Sequence, residues 1–207
     1  AKNLSQNTFP DKYFRYNGDL LTDDWVFDDG EMTPGVGFII RVPKPGSPAP
    51  DNWSGTTYPQ PVAFKGVPNN GDYSFSAGAG EFNLIGNPYP SAIDADLFMT
   101  NTNNASIING ALYFWTHNTV ITNNEYTADD YASYTLTGGT GTGGVGNFVD
   151  ANNNGIMDPV EEVVSNRPLG KIAAGQSFFV ENAAAGSFQF TNTMRIAGNN
   201  SQFFKQA

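Results

Sequence analysis

Oxygen-bearing side chains are concentrated in one short segment, DANNNGIMDPVE at residues 150–161. Their spacing matches a twelve-residue calcium loop of the EF-hand type, in which alternate side chains turn inward and a distant glutamate closes the cage. Gly155 permits the sharp turn that such a loop needs. Ca²⁺ is the predicted ion, and its predicted ligands are Asp150, Asn152, Asn154, Asp158 and Glu161, with Ile156 contributing its backbone carbonyl.

A solvated Asn/Gly turn could match this pattern by chance, because the chain is rich in asparagine. Against that alternative, every specified position is filled, and Pro159 suits a short helical turn that would swing Glu161 toward the ion. Magnesium suits a flexible multi-oxygen loop less well than calcium. No second loop of this pattern follows, so the sequence favours a site that orders a segment, with an affinity of roughly 10⁻⁶ to 10⁻³ M.

Catalytic chemistry finds little support in the sequence. His117 is the only histidine, and no G-x-S-x-G motif accompanies it. Adjacent residues on a strand face opposite sides, so an adjacent acid pair cannot flank one bond. This argument covers the three pairs Asp23–Asp24, Asp28–Asp29 and Asp129–Asp130. We expect a protein that is not an enzyme, and a small glycosidase or peptidase remains the third alternative.

Aromatic side chains offer a binding function instead. Trp25, Trp53 and Trp115 could each stack on a sugar ring. Trp53 is the best candidate for exposure, because it lies in the Pro-rich stretch 43–61, which cannot form a central strand. Aromatic residues in β-proteins usually belong to the core, so a glycan remains a possible partner rather than the main prediction.

Composition excludes several classes of protein. The chain has 207 residues, of which 39% are hydrophobic and 14% aromatic, which is too apolar for a disordered segment. Its formal charge of −10 disfavours nucleic acid and anionic membranes as partners. It has no cysteine, which excludes disulfides and zinc–thiolate sites. No apolar run is long enough to insert into a membrane.

Short aromatic and β-branched runs, separated by turn residues, predict an all-β protein. We expect an antiparallel β-sandwich or jelly-roll-like fold, with one short helix over 91–99 capped by Ser91 and with Asp94 reaching back. The predicted strands are 12–16, 37–42, 62–67, 72–77, 81–86, 111–117, 131–136, 176–182 and 187–192. The predicted core residues are Phe38, Ile40, Phe64, Leu84, Phe114, Phe178, Val180 and Phe190.

The two halves of the chain echo each other in sequence. YFRYNG at 13–18 matches YFWTHN at 113–118 with an offset of 100, and DDW at 23–25 matches DDY at 129–131 with an offset of 106. TPGVGFII at 33–40 matches AAGQSFFV with an offset of 140. A duplicated β unit with an insertion in its second copy would produce this pattern, although aromatic strands after glycine turns also look alike by chance.

The stretches FNLIGNPYPSAIDADLF (82–98), ALYFWTHN, GQSFFVEN and FTNTMRIAGNNSQFFK (190–205) resemble a module of large secreted proteins of Bacteroidota, which usually end in a type IX secretion sorting domain. In that family a strand carrying PGxGF precedes the GNPYPS unit, as TPGVGF does here. The strand expected to open the first unit is missing, as if the chain began late, and the C-terminal sorting domain is missing too, so secretion is implied by the resemblance alone. The resemblance implies an accessory or adhesin region, with no general catalytic set.

These observations together predict a non-catalytic calcium-binding module of a secreted or cell-surface bacterial protein, with an adhesive or structural role. The alternative is a carbohydrate-binding module of a secreted hydrolase. Residues 1–80 would form the first β unit and 81–207 the second, with the calcium-loop insertion at 140–166, and the two could pack as one domain. Neighbouring domains of the same polypeptide and a surface ligand are the expected partners.

Overall fold

The computed structural model describes residue 4 and residues 12–18, 24–28, 30–40, 62–115, 130–141 and 167–200. These residues form twelve strands, two short α-helices and a 3₁₀ turn at Asn192–Met194. The strands are β1 (Tyr13–Asn17), β2 (Asp24–Phe27), β3 (Ile39–Ile40), β4 (Tyr73–Ala77), β5 (Phe82–Gly86), β6 (Ile93–Asp94), β7 (Ile108–Trp115), β8 (Tyr131–Thr135), β9 (Gly138–Thr140), β10 (Lys171–Ile172), β11 (Ser177–Asn182) and β12 (Gly186–Phe190). The helices are α1 (Ala95–Thr100) and α2 (Thr102–Ala105).

A five-stranded antiparallel sheet, the central sheet, forms the middle of the described structure, with the order β5-β11-β7-β8-β9. Strands β2-β1-β3 form a second antiparallel sheet, the N-terminal sheet. Strands β4 and β12 pair with each other, and β6 pairs with β10. The many short antiparallel strands confirm the prediction of an all-β fold.

The central sheet is covered on both faces, which makes the architecture sandwich-like. On one face, Phe98 of α1 packs edge-on against Phe178 of β11, with their ring centroids 5.5 Å apart. The same ring packs 5.0 Å from Phe190 of β12, so the helix and the β4–β12 pair close this side. On the other face, Phe179 lies 5.1 Å from Tyr16 of the N-terminal sheet. Alternate residues of β11 therefore bury against different layers.

The N-terminal sheet and the central sheet repeat the same strand order and the same register. β2-β1-β3 corresponds to β8-β7-β11. Five residue pairings of β1 can be compared with pairings in the central sheet, and all five recur. The corresponding residue numbers are higher by 99 for β1, by 106 for β2 and by 140 for β3, so that Tyr16↔Trp25 corresponds to Trp115↔Tyr131. The strand register gives 99 rather than 100 for the first offset. The difference matters because a shift of one residue would move every side chain to the opposite face of the sheet. The repeat supports the predicted duplication.

Equivalent turns introduce the third strand of each copy. The Val36 amide donates to the carbonyl of Thr33 at 3.1 Å, and the Gln176 amide donates to that of Ala173, also at 3.1 Å. Gly35 and Gly175, each the third residue of its turn, have φ angles of 91° and 71°. A type II turn requires this left-handed conformation, which glycine adopts without strain. The two segments then flank β5 from opposite edges, through Val36↔Ile85 and β5–β11.

The helix begins later than the sequence predicts. Strand pairing of Ile93 and Asp94 with β10 keeps these residues extended, so α1 begins at Ala95 with Asp94 as its N-cap. The Asp94 carboxylate accepts from the backbone amides of the second and third helical residues, Asp96 and Leu97, at 3.0 and 3.2 Å. Ser91 is therefore not the cap, and a second helix, α2, was not predicted.

Most of the predicted core is buried, with one clear error. Leu84, Phe114, Phe178, Val180 and Phe190 are at most 5% exposed, whereas Phe38 and Ile40 are half-buried. The prediction that Phe64 belongs to the core is wrong, because 63% of this residue is exposed. The prediction of a strand over 62–67 is also wrong, since Val62 and Val67 are exposed and no strand forms there. Gly66 has a φ of 147°, a conformation that only glycine adopts readily and that interrupts an extended strand.

Candidate metal centre

All six predicted metal-site residues lie outside the residues that the structure describes: Asp150, Asn152, Asn154, Ile156, Asp158 and Glu161. His117 and Trp53 lie outside them as well. Within the described ranges, no group of three or more His, Cys, Asp or Glu side chains is arranged to hold a metal ion. The structure therefore describes the residues on either side of the candidate site, up to Gly141 and from Arg167 onward.

The segment that contains the loop, residues 142–166 and called here the excursion, leaves and rejoins the described body at one place. The residue before it, Gly141, follows β9, the outer strand of the central sheet. A Cβ built on Gly139 would lie 2.1 Å from the carbonyl oxygen of Pro168, so the departing and returning backbones are in direct contact. Glycine at 139 permits this approach. The two ends of the excursion are thus already held together by the body.

The returning chain is anchored to the start of α1. The amide of Ala95 donates to the carbonyl of Gly170 at 2.9 Å. Next to this bond, the Lys171 ammonium pairs with the Asp94 carboxylate. Burial raises the pKa of Asp94, but the hydrogen bonds from Lys171 and from the backbone amide of Leu97 outweigh it, so the pKa of Asp94 is lowered. The ion pair thus fixes the position of the strand that follows the excursion.

Tyr134 forms a second anchor at the same place. Its hydroxyl donates to Oδ1 of Asp96 at 2.9 Å, and a Cβ built on Gly170 would lie 2.4 Å from that hydroxyl. Burial, with the hydrogen bond to Asp96, raises the pKa of Tyr134 to about 12. The phenol therefore stays protonated at physiological pH and keeps its role as donor. The residues at which the chain rejoins the body, Gly170 and Lys171, therefore lie against hydrogen-bonded groups of β8 and of the start of α1.

The GNPYPS stretch organises the chain around a buried amide. Nδ2 of Asn87 donates to the carbonyls of Ser91, Ile172 and Ala173 at 2.9, 3.2 and 3.0 Å. Its Oδ1 accepts from the Tyr89 amide at 3.0 Å. Asn87 is 5% exposed, so these bonds satisfy polar groups that water does not reach. The motif is a structural joint between the loop after β5 and the strand after the excursion.

Arg195 clamps this loop from the other side. Its Nε donates to Oγ of Ser91 at 3.0 Å, and its Nη1 donates to Oδ1 of Asn70 and of Asn192 at 3.0 and 3.2 Å. The guanidinium lies 5.2 Å from the centre of the Tyr89 ring. Sequence reasoning did not single out Arg195. The available signal was its place in TMRIAGNN, where it is the only basic residue, within the stretch that carries the family resemblance.

The adjacent acids have local partners. The Asp28 carboxylate pairs with Nε of Arg15 across the β1–β2 hairpin at 3.2 Å. Oδ1 of Asp24 accepts from the amide of Trp25 at 2.7 Å. Asp130 is fully buried, whereas Asp23, Asp29 and Asp129 lie outside the described residues. Asp24 and Asp28 thus have local structural partners in the β1–β2 pair.

The two described tryptophans lie in corresponding cross-strand pairs of the repeat but on opposite strands, because Trp25 corresponds to Tyr131 and Trp115 corresponds to Tyr16. Trp25 pairs with Tyr16 in the N-terminal sheet, and Trp115 pairs with Tyr131 in the central sheet. The ring of Trp25 packs edge-on against Tyr16 and Phe179, with centroids 5.2 and 5.9 Å apart. These contacts place Trp25 between the two layers, as part of the packing that joins them.

The fold defines the class: an all-β, sandwich-like protein with a repeated three-stranded sheet. A family model described as "Domain of unknown function (DUF8693)" matches residues 1–207, and the chain belongs to that family. No curated protein and no solved structure matches the chain. Among the described residues, neither helix is long and apolar enough to cross a membrane.

Proposed function

We propose that this chain is a non-catalytic, calcium-stabilised module of a secreted or cell-surface bacterial protein, with an adhesive or structural role. The observation that carries the proposal is the spacing of oxygen-bearing residues in 150–161, where every ligand position of a twelve-residue calcium loop is filled. The extracellular setting is supported by the resemblance of the GNPYPS stretch to modules of secreted Bacteroidota proteins.

The geometry of the body supports an ordering role for the ion. The contact between Gly139 and Pro168 closes the excursion at its base, so a metal would only have to order the residues between them. Connections this long without a defined role are uncommon in compact domains. Lys171, which follows the excursion, is held at the start of α1 by its ion pair with Asp94, so a bound ion would be linked directly to the folded body.

Calcium would stabilise the folded chain by mass action, because the ligands converge only when the loop is folded. At a free calcium concentration about 100 times the Kd, this contributes about 2.7 kcal/mol to the free energy of unfolding. The loop would need ionised acids, so binding would weaken as the pH falls toward the pKa range of Asp and Glu, near 4.

A calorimetric titration of the calcium-depleted chain tests the proposal. We expect one binding event per chain, with a Kd between about 10⁻⁶ and 10⁻³ M. Asp150→Ala and Glu161→Gln remove predicted ligands and should abolish it.

Matched controls lie within the same segment. Asn153→Ala and Glu162→Gln change neighbouring residues that occupy no ligand position, and Glu162→Gln removes the same charge as Glu161→Gln. Both should bind calcium with nearly unchanged affinity. Absence of binding at millimolar calcium, or equal loss in Glu161→Gln and Glu162→Gln, would contradict the proposed loop.

A further inference from the structure

One face of the central sheet carries a surface formed by Phe82, Tyr113, Glu181 and Asn109, which the proposed function does not use. Phe82 of β5 lies directly across from Glu181 of β11, and Tyr113 of β7 lies across from Phe179 of β11. Cross-strand partners share a face of the sheet. The rings of Phe82 and Tyr113 meet over β11 with centroids 6.1 Å apart and an interplanar angle of 53°.

The N-terminal sheet covers only part of this face. Tyr16 and Trp25 pack on Phe179, which is 6% exposed. Phe82 is 36% exposed, and Tyr113 is half-buried. The aromatic surface therefore continues from a covered region to an open one. We call Phe82, Tyr113, Glu181 and Asn109 the Phe82–Tyr113 patch.

Hydrogen-bonding groups border the two rings. Nδ2 of Asn109 donates to Oε2 of Glu181 at 2.7 Å, at the exposed surface. This bond fixes the carboxylate and the amide side by side and directs the other carboxylate oxygen and the amide carbonyl to act as acceptors. The patch thus combines two partly exposed aromatic rings with a carboxylate oxygen and an amide carbonyl that can accept hydrogen bonds.

A sugar ring is complementary to that combination. Its C–H groups can pack on an aromatic face, and its hydroxyls can donate to a carboxylate and an amide carbonyl. An anionic glycan would meet Glu181 and a chain of net charge −10, so electrostatics disfavour acidic sugars relative to neutral ones.

We propose that the Phe82–Tyr113 patch binds a neutral glycan chain. The four residues lie in the sheets and outside the excursion, so this binding goes beyond the calcium-stabilised role and does not depend on it. The ring pair supplies the apolar contact, and the Glu181–Asn109 pair orients the hydroxyls. Glycan binding here would give the module an adhesive surface of its own.

Titration of the whole chain with hexasaccharides of β-glucan, xylan and mannan tests this proposal, with a hyaluronan hexasaccharide as the anionic comparison. We expect saturable binding of at least one neutral hexasaccharide, in EDTA as well as in calcium. Tyr113→Ala should weaken it by about tenfold or more, as loss of an aromatic anchor does. Glu181→Gln keeps the size of the side chain and should weaken it several-fold.

Phe64→Ala is the matched control, because Phe64 is 63% exposed and lies elsewhere on the surface, against Gly175. It should leave binding unchanged. If Tyr113→Ala fails to fold, Glu181→Gln with Asn109→Ala decides the question. No binding of any neutral hexasaccharide, a preference for hyaluronan, or equal affinity in the wild type and these variants would overturn the glycan site, whatever the result of the calcium titration.

Discussion

The two copies of the repeated sheet differ most in the connection that leads to their third strand. In the first copy, residues 28–38 join β2 to β3, whereas in the second copy residues 136–176 join β8 to β11. The register offset rises from 106 to 140, so the second copy carries 34 additional residues between equivalent positions; β8 and β11 take up four of them, and the longer connection takes up the rest. Both connections end in the same kind of glycine turn, and each turn leads to a residue or strand that pairs with β5, namely Val36 in the first copy and β11 in the second.

This difference separates what the fold needs from what was added to it. The first copy makes the sheet and the turn without an excursion, so the additional residues are not required for the strand order. The calcium-loop sequence lies entirely within them. The GNPYPS joint, in contrast, ties β5 to the strand after the excursion, and its Asn87 and Tyr89 are buried and hydrogen-bonded. We therefore expect substitutions in the joint to affect folding and those in the excursion to affect the response to calcium.

The largest effect should come from Asn87→Ala. This change removes a hydrogen-bond donor from the carbonyls of Ser91, Ile172 and Ala173 and the acceptor of the Tyr89 amide, and we expect a loss of about 3–5 kcal/mol in the free energy of unfolding. Urea denaturation measures it. Asn109→Ala, at an exposed asparagine, should change stability by no more than about 0.5 kcal/mol. Similar losses in both variants would remove the distinction between joint and surface.

An intermediate effect tests whether the two turns are equivalent. Gly35→Ala and Gly175→Ala each place a side chain where φ is positive, which should cost about 1–2 kcal/mol in either copy. At Gly35 the nearest atom to the new Cβ is 3.5 Å away, whereas at Gly175 the Phe64 ring is at 2.7 Å and must shift. Denaturation of the two variants should show comparable losses, slightly larger at Gly175. A neutral result at one position would argue against equivalent turns.

The elements of the fold that could be predicted from the sequence were those with a strong local pattern of apolar residues. Strand 131–135 was predictable because its pattern alternates, and strand 177–182 because its continuous apolar run suits a strand buried on both faces. The helix start was displaced because pairing with β10 holds Asp94 extended, which is a tertiary constraint. Phe64 was misplaced because an alternating pattern does not show that its segment lies outside the sheet. The calcium loop was predictable as spacing alone, whereas Arg195 acts through distant partners that no short motif contains.

A smaller, pH-dependent effect on stability should appear where the chain rejoins the body after the excursion, at the Asp94–Lys171 ion pair. Asp94→Asn keeps an N-cap acceptor but removes the ion pair with Lys171, which should cost about 0.5–1 kcal/mol at pH 7. Because the folded-state pKa of Asp94 is lowered from 3.8, its contribution is present above that value and is lost as the pH falls through the folded-state pKa. Denaturation at pH 7 and in acid should show the gap closing. Asp72→Asn, at an exposed carboxylate, is the control, and a gap that widens in acid would contradict the assignment.

The most direct test of the account compares melting of the intact chain with that of a chain in which a short Gly/Ser linker replaces residues 142–166. The contact of Gly139 with Pro168 lets such a linker close the gap. Calcium at about 100 times the Kd should raise the melting temperature of the intact chain by about 5–10 °C, and the shortened chain should melt at one temperature in calcium and in EDTA. An intact chain that melts identically in calcium and in EDTA, or a shortened chain that retains the shift, would contradict a stabilising calcium site in the excursion.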